Sequence, residues 1–441
     1  MPTLTAWPEW PEFASSDVRP EDEEEFKEYK RQIVDEYGEE NIRKAWLKTC
    51  DDLKAITAIL SEKGSSVIPV LDFDDLQDLS EEKVKELKKV GCFVIRNVIP
   101  AAEATAQFEN LKQYVSENRD SLKAWPANNP SVYRLFWSPT QQALRAHPNQ
   151  LLVQRILNGF WHDASQTTSP DPLTYADAVR IRPPGKPFYG LGPHIDAGSL
   201  CRWADAGYRK VYDSIFSGFP ERFDAYDLST RKDADQAAFE GSAHSSVFRA
   251  FQGWTALTGT RPREGSLLLY PYVGTVIAYL LLRPFFTPPQ EDVMDASKWS
   301  FNPDNAWFPG TRKESSQYLS RTSHPHLRLE DCLVHIPEMR PGDTVWWHCD
   351  MCHAVEVEHA GKHDASVAYI AATPTTPVNV RYIKSQAENF LAGLPPGDFP
   401  GGINETKLKG YLGESGIPNR ETGRRAMGFG LLELADAPAV A

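Results

Sequence analysis

Gly192-Pro193-His194-Ile195-Asp196 is the stretch on which the reading of this chain turns, together with Trp347-His348-Cys349-Asp350-Met351-Cys352-His353 far downstream. In extended backbone, residues two apart project to the same side, so His194 and Asp196 can reach one metal ion. With a distant histidine added, they form the two-imidazole, one-carboxylate set that holds mononuclear non-haem iron(II) and leaves the opposite positions open. A chain with that set is expected to be an oxygenase. A lone His-x-Asp also spells an ordinary surface turn, so the third ligand decides.

The chain has 11 histidines. The turn Arg340-Pro341-Gly342-Asp343 leads into an expected strand over 344–347, with His348 at its end and His353 just beyond, ahead of another expected strand over 366–371. In a double-stranded barrel the late strand runs beside the one bearing His-x-Asp, and a histidine at its rim completes the triad. His353 suits that position. His348 is expected to be a hydrogen-bonded core histidine close to the site. The run Cys349-Asp350-Met351-Cys352-His353 also spells the c-type haem attachment signature, and the pair of cysteines two apart suits a structural zinc site with His348 and His353. Haem attachment needs an oxidising compartment, and zinc normally draws ligands from a second segment.

The composition, 41% hydrophobic and 11% aromatic over 441 residues, supports a large core. A formal charge of −13 argues against a nucleic-acid role, since such proteins neutralise phosphates with clustered Lys and Arg. The longest apolar run, 276–282, is too short to span a bilayer. The first residues show no basic run followed by an apolar core, so a cytoplasmic protein is expected. Six cysteines are too few for a disulfide framework at this length.

Apolar residues Phe26, Tyr29, Ile33 and Tyr37, then Ile42, Trp46, Leu53, Ile56 and Leu60, recur at helical spacing and predict two helices. Ser80 to Gly91 reads as a capped helix that feeds an edge strand over 92–96. Short β-branched or aromatic runs predict further strands over 178–182, 251–257, 266–270, 344–347 and 366–371. Strands separated by long connections suit a jelly-roll more than a doubly wound sheet, and no Gly-x-Gly-x-x-Gly or P-loop supports a nucleotide cofactor. The fold class expected is mainly β with helical extensions, a double-stranded β-helix (cupin-like) barrel flanked by N-terminal helices. The expected divisions are 1–90, coil and helices packed on the barrel; 91–376, the catalytic core with insertions; and 377–441, a wrapping tail with one helical stretch near 385–391.

Longer strings look familiar. Arg180-Ile181-Arg182-Pro183-Pro184-Gly185, Leu191 to Ser199, Phe251-Gln252-Gly253-Trp254, Gly342 to Asp350, and the closing segments around Asp398 and Met427 resemble the DUF1479 (YbiU-like) family. The resemblance runs from about residue 20 to 430. That family is similar to the iron(II)/2-oxoglutarate-dependent dioxygenases of double-stranded β-helix fold, which implies metal ligation by His194, Asp196 and His353. It also implies 2-oxoglutarate as cosubstrate and oxidation of an unactivated C–H by hydroxylation, desaturation or cyclisation. The implied partners are dioxygen and a small, carboxylate-bearing metabolite, with no nucleic acid, no membrane and no particular oligomeric state.

One departure matters. Many such enzymes bind the cosubstrate's far carboxylate with an arginine about ten residues after the distal histidine, a geometry the guanidinium fork suits. Residues 354–366 contain no arginine. Arg180 and Arg182, on one face of a strand leading into the metal motif, are the expected replacements, with Ser366 as hydroxyl partner and Arg209 and Lys210 as rivals. Gln252 and Trp254 share a strand face and are placed near the substrate. Two other classes remain: a cupin-like metalloenzyme without oxygen chemistry, such as an isomerase or hydrolase, and a non-catalytic small-molecule-binding protein.

Overall fold

Glu23–Tyr37 and Glu39–Lys63 are consecutive helices broken at Gly38, whose φ of 84° ends the first and opens the second. Their periodic apolar residues, Phe26, Ile33, Ile42, Trp46, Leu53 and Leu60, are buried. The structure is a computed structural model and describes residues 4, 6–189, 191–196, 198–241 and 245–432. The end of the expected tail, 433–441, therefore lies outside the described residues. The apolar run 276–282 forms part of a buried helix, Val273–Leu282, packed on Glu39–Lys63. No described helix is long and apolar enough to cross a membrane.

Helix Glu81–Val90 starts where the Ser80 hydroxyl accepts the Lys83 amide and stops at Gly91 in the left-handed region. The strand it feeds, Cys92–Arg96, is not an edge. It pairs in parallel with Val70–Asp72 and antiparallel with Thr344–His348. The three-residue Val70–Asp72 is too short to show a period, which is why it went unforeseen.

Two sheets dominate. The larger has eight strands in the order Val70–Asp72, Cys92–Arg96, Thr344–His348, Phe251–Ala256, Ala365–Ala372, Val179–Arg182, Val132–Tyr133, Ala124–Trp125. The smaller has five: Gln317–Tyr318, His194–Ile195, His353–Val355, Leu267–Leu269 and Val334–His335. Among the described residues the two sheets are hydrogen-bonded separately and do not close into one cylinder. The expectation of a mainly β protein also needs correction. Helices such as Ala101–Glu117 and Pro148–Asn158 lie between strands and Pro377–Leu391 follows the last one, so the architecture is mixed helix and sheet. The last of these begins before the helical stretch expected near 385.

Register decides what faces the small sheet. Residues directly opposite in antiparallel strands share a face. Arg180 pairs with Val367 and Arg182 with Ala365; Tyr369 pairs with Trp254, Ala371 with Gln252, and Gln252 with Trp347. Arg180, Arg182, Tyr369, Trp254, Gln252 and Trp347 therefore share one face of the large sheet. That face looks at the small sheet, because Gln252 reaches Asp196 and Arg182 reaches the backbone carbonyls of Glu356 and Val357.

Candidate metal centre

His194 and His353 face each other across adjacent strands of the small sheet, in direct register, with ring centroids 4.2 Å apart. Asp196 follows immediately after the strand His194–Ile195 and stands between the two rings. Its Oδ1 lies 3.6 Å from His194 Nε2 and its Oδ2 3.6 Å from His353 Nε2. Ligand atoms of all three residues fall within 4.8 Å of one another. Just before them Gly192 abuts the Trp10 indole, where an added methyl group would stand 3.0 Å from the ring. The approach to the metal motif is thus packed beneath the N-terminal segment.

The second nitrogen of each imidazole is already engaged. His194 Nδ1 lies 2.6 Å from Gly192 O and His353 Nδ1 3.0 Å from Met351 O. A carbonyl can only accept, so these contacts place the proton on Nδ1 and leave both Nε2 lone pairs directed at the carboxylate, the tautomer a metal requires. Burial, reinforced by His353, pushes His194 down to about 4, which keeps it a neutral donor. For Asp196 burial opposes the charge, but the adjoining His353 and His194, with Arg249 beyond them, outweigh it and hold the carboxyl well below its usual range. Side-chain exposure is 6% for each histidine and 31% for Asp196, so the set opens on the carboxylate side. Two neutral imidazoles and one carboxylate fit iron(II) or another divalent transition metal.

Gln252 bridges the sheets at this point. Its amide nitrogen donates to Asp196 Oδ2 at 3.1 Å, and its oxygen accepts from the Trp347 indole at 2.8 Å, with the Trp347 ring 5.0 Å from that of His353. Gln252 is therefore a positioning residue for the carboxylate. Gln252→Leu is expected to weaken metal affinity about 10- to 100-fold, the usual effect of losing a hydrogen-bond partner of a metal ligand. Isothermal titration with zinc(II) checks this, and wild-type affinity in the variant would remove that role. Trp254, 2% exposed and opposite Tyr369, fills the same face as core.

His348 is fully buried at the end of the large-sheet strand. Its Nε2 lies 2.9 Å from Ala225 O, its Nδ1 accepts the Asp350 amide, and its ring stacks on Trp161 at 5.0 Å. Burial pushes it down to about 4. The segment Cys349-Asp350-Met351-Cys352 then carries the chain across to the small sheet, where His353 begins the next strand. His348, Cys349 and Asp350 also offer three close ligand atoms, but Asp350 is committed to Arg202 and Arg231.

Among the expected cosubstrate residues, Arg182 is fully buried and spends both terminal nitrogens on carbonyls of the small sheet. Arg180 is 2% exposed, makes one long bond of 3.4 Å to Gly265 O, and its Nε has no partner among the described residues. Ser366 does not reach these side chains. It pairs with Ile181 on the opposite face, and its hydroxyl donates to the Arg180 carbonyl at 2.9 Å. The hydroxyl that shares the face of Arg180 is that of Tyr369, which burial pushes up while Arg180 pulls it down. Arg209 is bound to the carbonyls of Trp203 and Ala204, and Lys210 is exposed. One residue of that face was not foreseen: Tyr369, visible only once register is known.

A family model described as Gig2-like matches residues 21–429. YbiU of Escherichia coli (strain K12) is 31% identical over 386 residues, covering 84% of this chain and 87% of YbiU. The crystal structure of GlcNAc Inducible Gene 2 (GIG2, DUF1479) from Candida albicans is similar over 98% of this chain and 92% of that one, with 27% identity and a TM-score of 0.83. The structure of JW0805 from Escherichia coli is similar over 93% of this chain and 98% of its own, with 29% identity and a TM-score of 0.79.

Proposed function

The chain belongs to the Gig2-like (DUF1479) family, and from that premise we propose that it is a non-haem iron(II), 2-oxoglutarate-dependent dioxygenase acting on an unactivated C–H of a small, carboxylate-bearing molecule. The observation that carries this is the convergence of two Nε2 lone pairs on one carboxylate, each ring held in its ligating tautomer by a backbone carbonyl. In this reading the two sheets are the facing walls of a double-stranded β-helix, with residues 91–376 as catalytic core and the flanking segments packed round it.

His194, Asp196 and His353 would hold iron(II), which supplies oxygen activation coupled to decarboxylation of 2-oxoglutarate to succinate. Gln252 and Trp347 hold the carboxylate in place. Arg180 and Tyr369 would take the cosubstrate's distal carboxylate. Arg180 is buried with one long bond of 3.4 Å to its guanidinium and no carboxylate paired with it among the described residues, a costly arrangement unless an anion completes it. Trp254 and Trp347 keep water from that face, which strengthens charge interactions within it.

The test is an anaerobic visible spectrum of the iron(II)-loaded protein titrated with 2-oxoglutarate. A weak charge-transfer band is expected, and Arg180→Gln should raise the 2-oxoglutarate dissociation constant about thirty-fold or more while metal affinity holds. No band in the wild type, with turnover under nitrogen on zinc or manganese, would favour an isomerase or hydrolase instead. A normal 2-oxoglutarate affinity in Arg180→Gln would leave another cation in its place.

A further inference from the structure

The cations near Asp196 can be accounted for one by one. Arg182 spends both terminal nitrogens on carbonyls, and Arg202 and Arg231 are ion-paired with Asp350. Arg180 is assigned to the cosubstrate. Arg249 is left over. It lies three residues before Gln252, is half-buried, and makes no hydrogen bond or ion pair among the described residues. Its guanidinium stands 5.4 Å from the centre of the Tyr175 ring. Tyr175 and Ala371, the residue opposite Gln252, share one buried cluster, and the charges of Arg249 and Asp196 act on each other.

Its surroundings carry a complementary feature. The Tyr175 hydroxyl and the Ser245 hydroxyl both donate to Oδ2 of Asp398, at 2.9 and 2.7 Å, and the buried Tyr382 hydroxyl lies beside the same carboxylate. Asp196, Asp177 and Asp398 are the negative groups that face Arg249, none of them within ion-pair distance. An unpaired guanidinium and a carboxylate with acceptor capacity to spare, in one cluster near the candidate metal ligands, match a ligand that carries an anion and, next to it, a hydrogen-bond donor.

Resting on the dioxygenase reading, we propose that the primary substrate is a small carboxylic acid bearing an adjacent amino or hydroxyl group, its carboxylate bound by Arg249 and its donor by Asp398. Arg249 is then the residue that sets substrate class, distinct from the cation that serves the cosubstrate.

The full-length protein, loaded with zinc(II) and 2-oxoglutarate under nitrogen, is titrated calorimetrically with the common α-amino acids, the matching α-hydroxy acids, and the carboxamide of each. At least one acid is expected to bind while its carboxamide does not. Arg249→Gln should weaken that acid about thirty-fold or more, Arg249→Lys should recover part of the loss, and both should bind 2-oxoglutarate within about threefold of wild type. Asp398→Asn should weaken an amino acid more than a hydroxy acid, which separates the two sources. The proposal is overturned if no acid binds, if acid and carboxamide bind alike, or if Arg249→Gln binds the acid as wild type does. Loss of 2-oxoglutarate in Arg249→Gln also overturns it and moves Arg249 to the cosubstrate. Failure of the wild type to bind 2-oxoglutarate at all counts against the dioxygenase reading instead.

Discussion

Asp196→Ala is expected to abolish stoichiometric metal binding and, with it, any 2-oxoglutarate-dependent succinate formation. The carboxylate is the only anion in the set, and each of its oxygens faces one imidazole Nε2 at 3.6 Å. Without it two neutral donors remain, and the charge that offsets a divalent cation is gone. Since losing a partner that only supports a ligand costs about 10- to 100-fold in affinity, losing the ligand itself should exceed about a hundred-fold. His194→Ala and His353→Ala should match it. His348→Ala should not, because both ring nitrogens of His348 are bound to the backbone and its ring is stacked on Trp161. Calorimetric titration with zinc(II), alongside succinate release from the iron-loaded protein, reads both effects. Wild-type affinity in Asp196→Ala would sink the centre, and a loss in His348→Ala equal to that in His353→Ala would put His348 among the ligands.

How much of this was legible beforehand follows from the range of each interaction. His194-x-Asp196 is local, and a period of two suffices to put both side chains on one side. The choice of His353 over His348 needed only their order along the late segment. What spacing could not show is that the residues between them cross from one sheet to the other, so that one histidine becomes core and its near neighbour faces His194 and Asp196. Ser366 failed by phase. Alternation along 365–372 offers two faces, and pairing of Val367 with Arg180 turns Tyr369 inward and Ser366 outward. Arg249 sits in an irregular segment, where no period exists to read. The helices between strands lie among short β-branched runs that spell strands, whereas Ala101–Glu117 buries Ala104, Phe108, Leu111 and Val115 at helical spacing.

Asp350→Ala is expected to cost about 3–5 kcal/mol of stability, the range for removing one partner of a buried ion pair. Asp350, Arg202 and Arg231 have side chains each 1% exposed, with Arg231 2.6 Å and Arg202 3.4 Å from opposite carboxylate oxygens and the Tyr212 hydroxyl at 3.1 Å. Truncation leaves two guanidinium groups buried with no counter-charge. Burial opposes ionisation of Asp350, but Arg231 and then Arg202 overcome it and hold the carboxyl well below its usual range. The stabilisation is therefore complete above the unfolded value of about 3.9 and is lost as pH falls through the lower folded value. Urea midpoints of wild type and Asp350→Asn should differ most at neutral pH and converge under strongly acidic conditions. Replacing all three charges together, with Arg202→Met, Arg231→Met and Asp350→Leu, should recover much of the loss, since a buried ion triad exchanged for apolar side chains is often neutral. The same measurement disposes of the competing metal cluster. Were His348, Cys349 and Asp350 to hold zinc, a chelator would destabilise the wild type as much as the substitution does. With Asp350 serving as counter-ion to two arginines, the chelator leaves that difference intact.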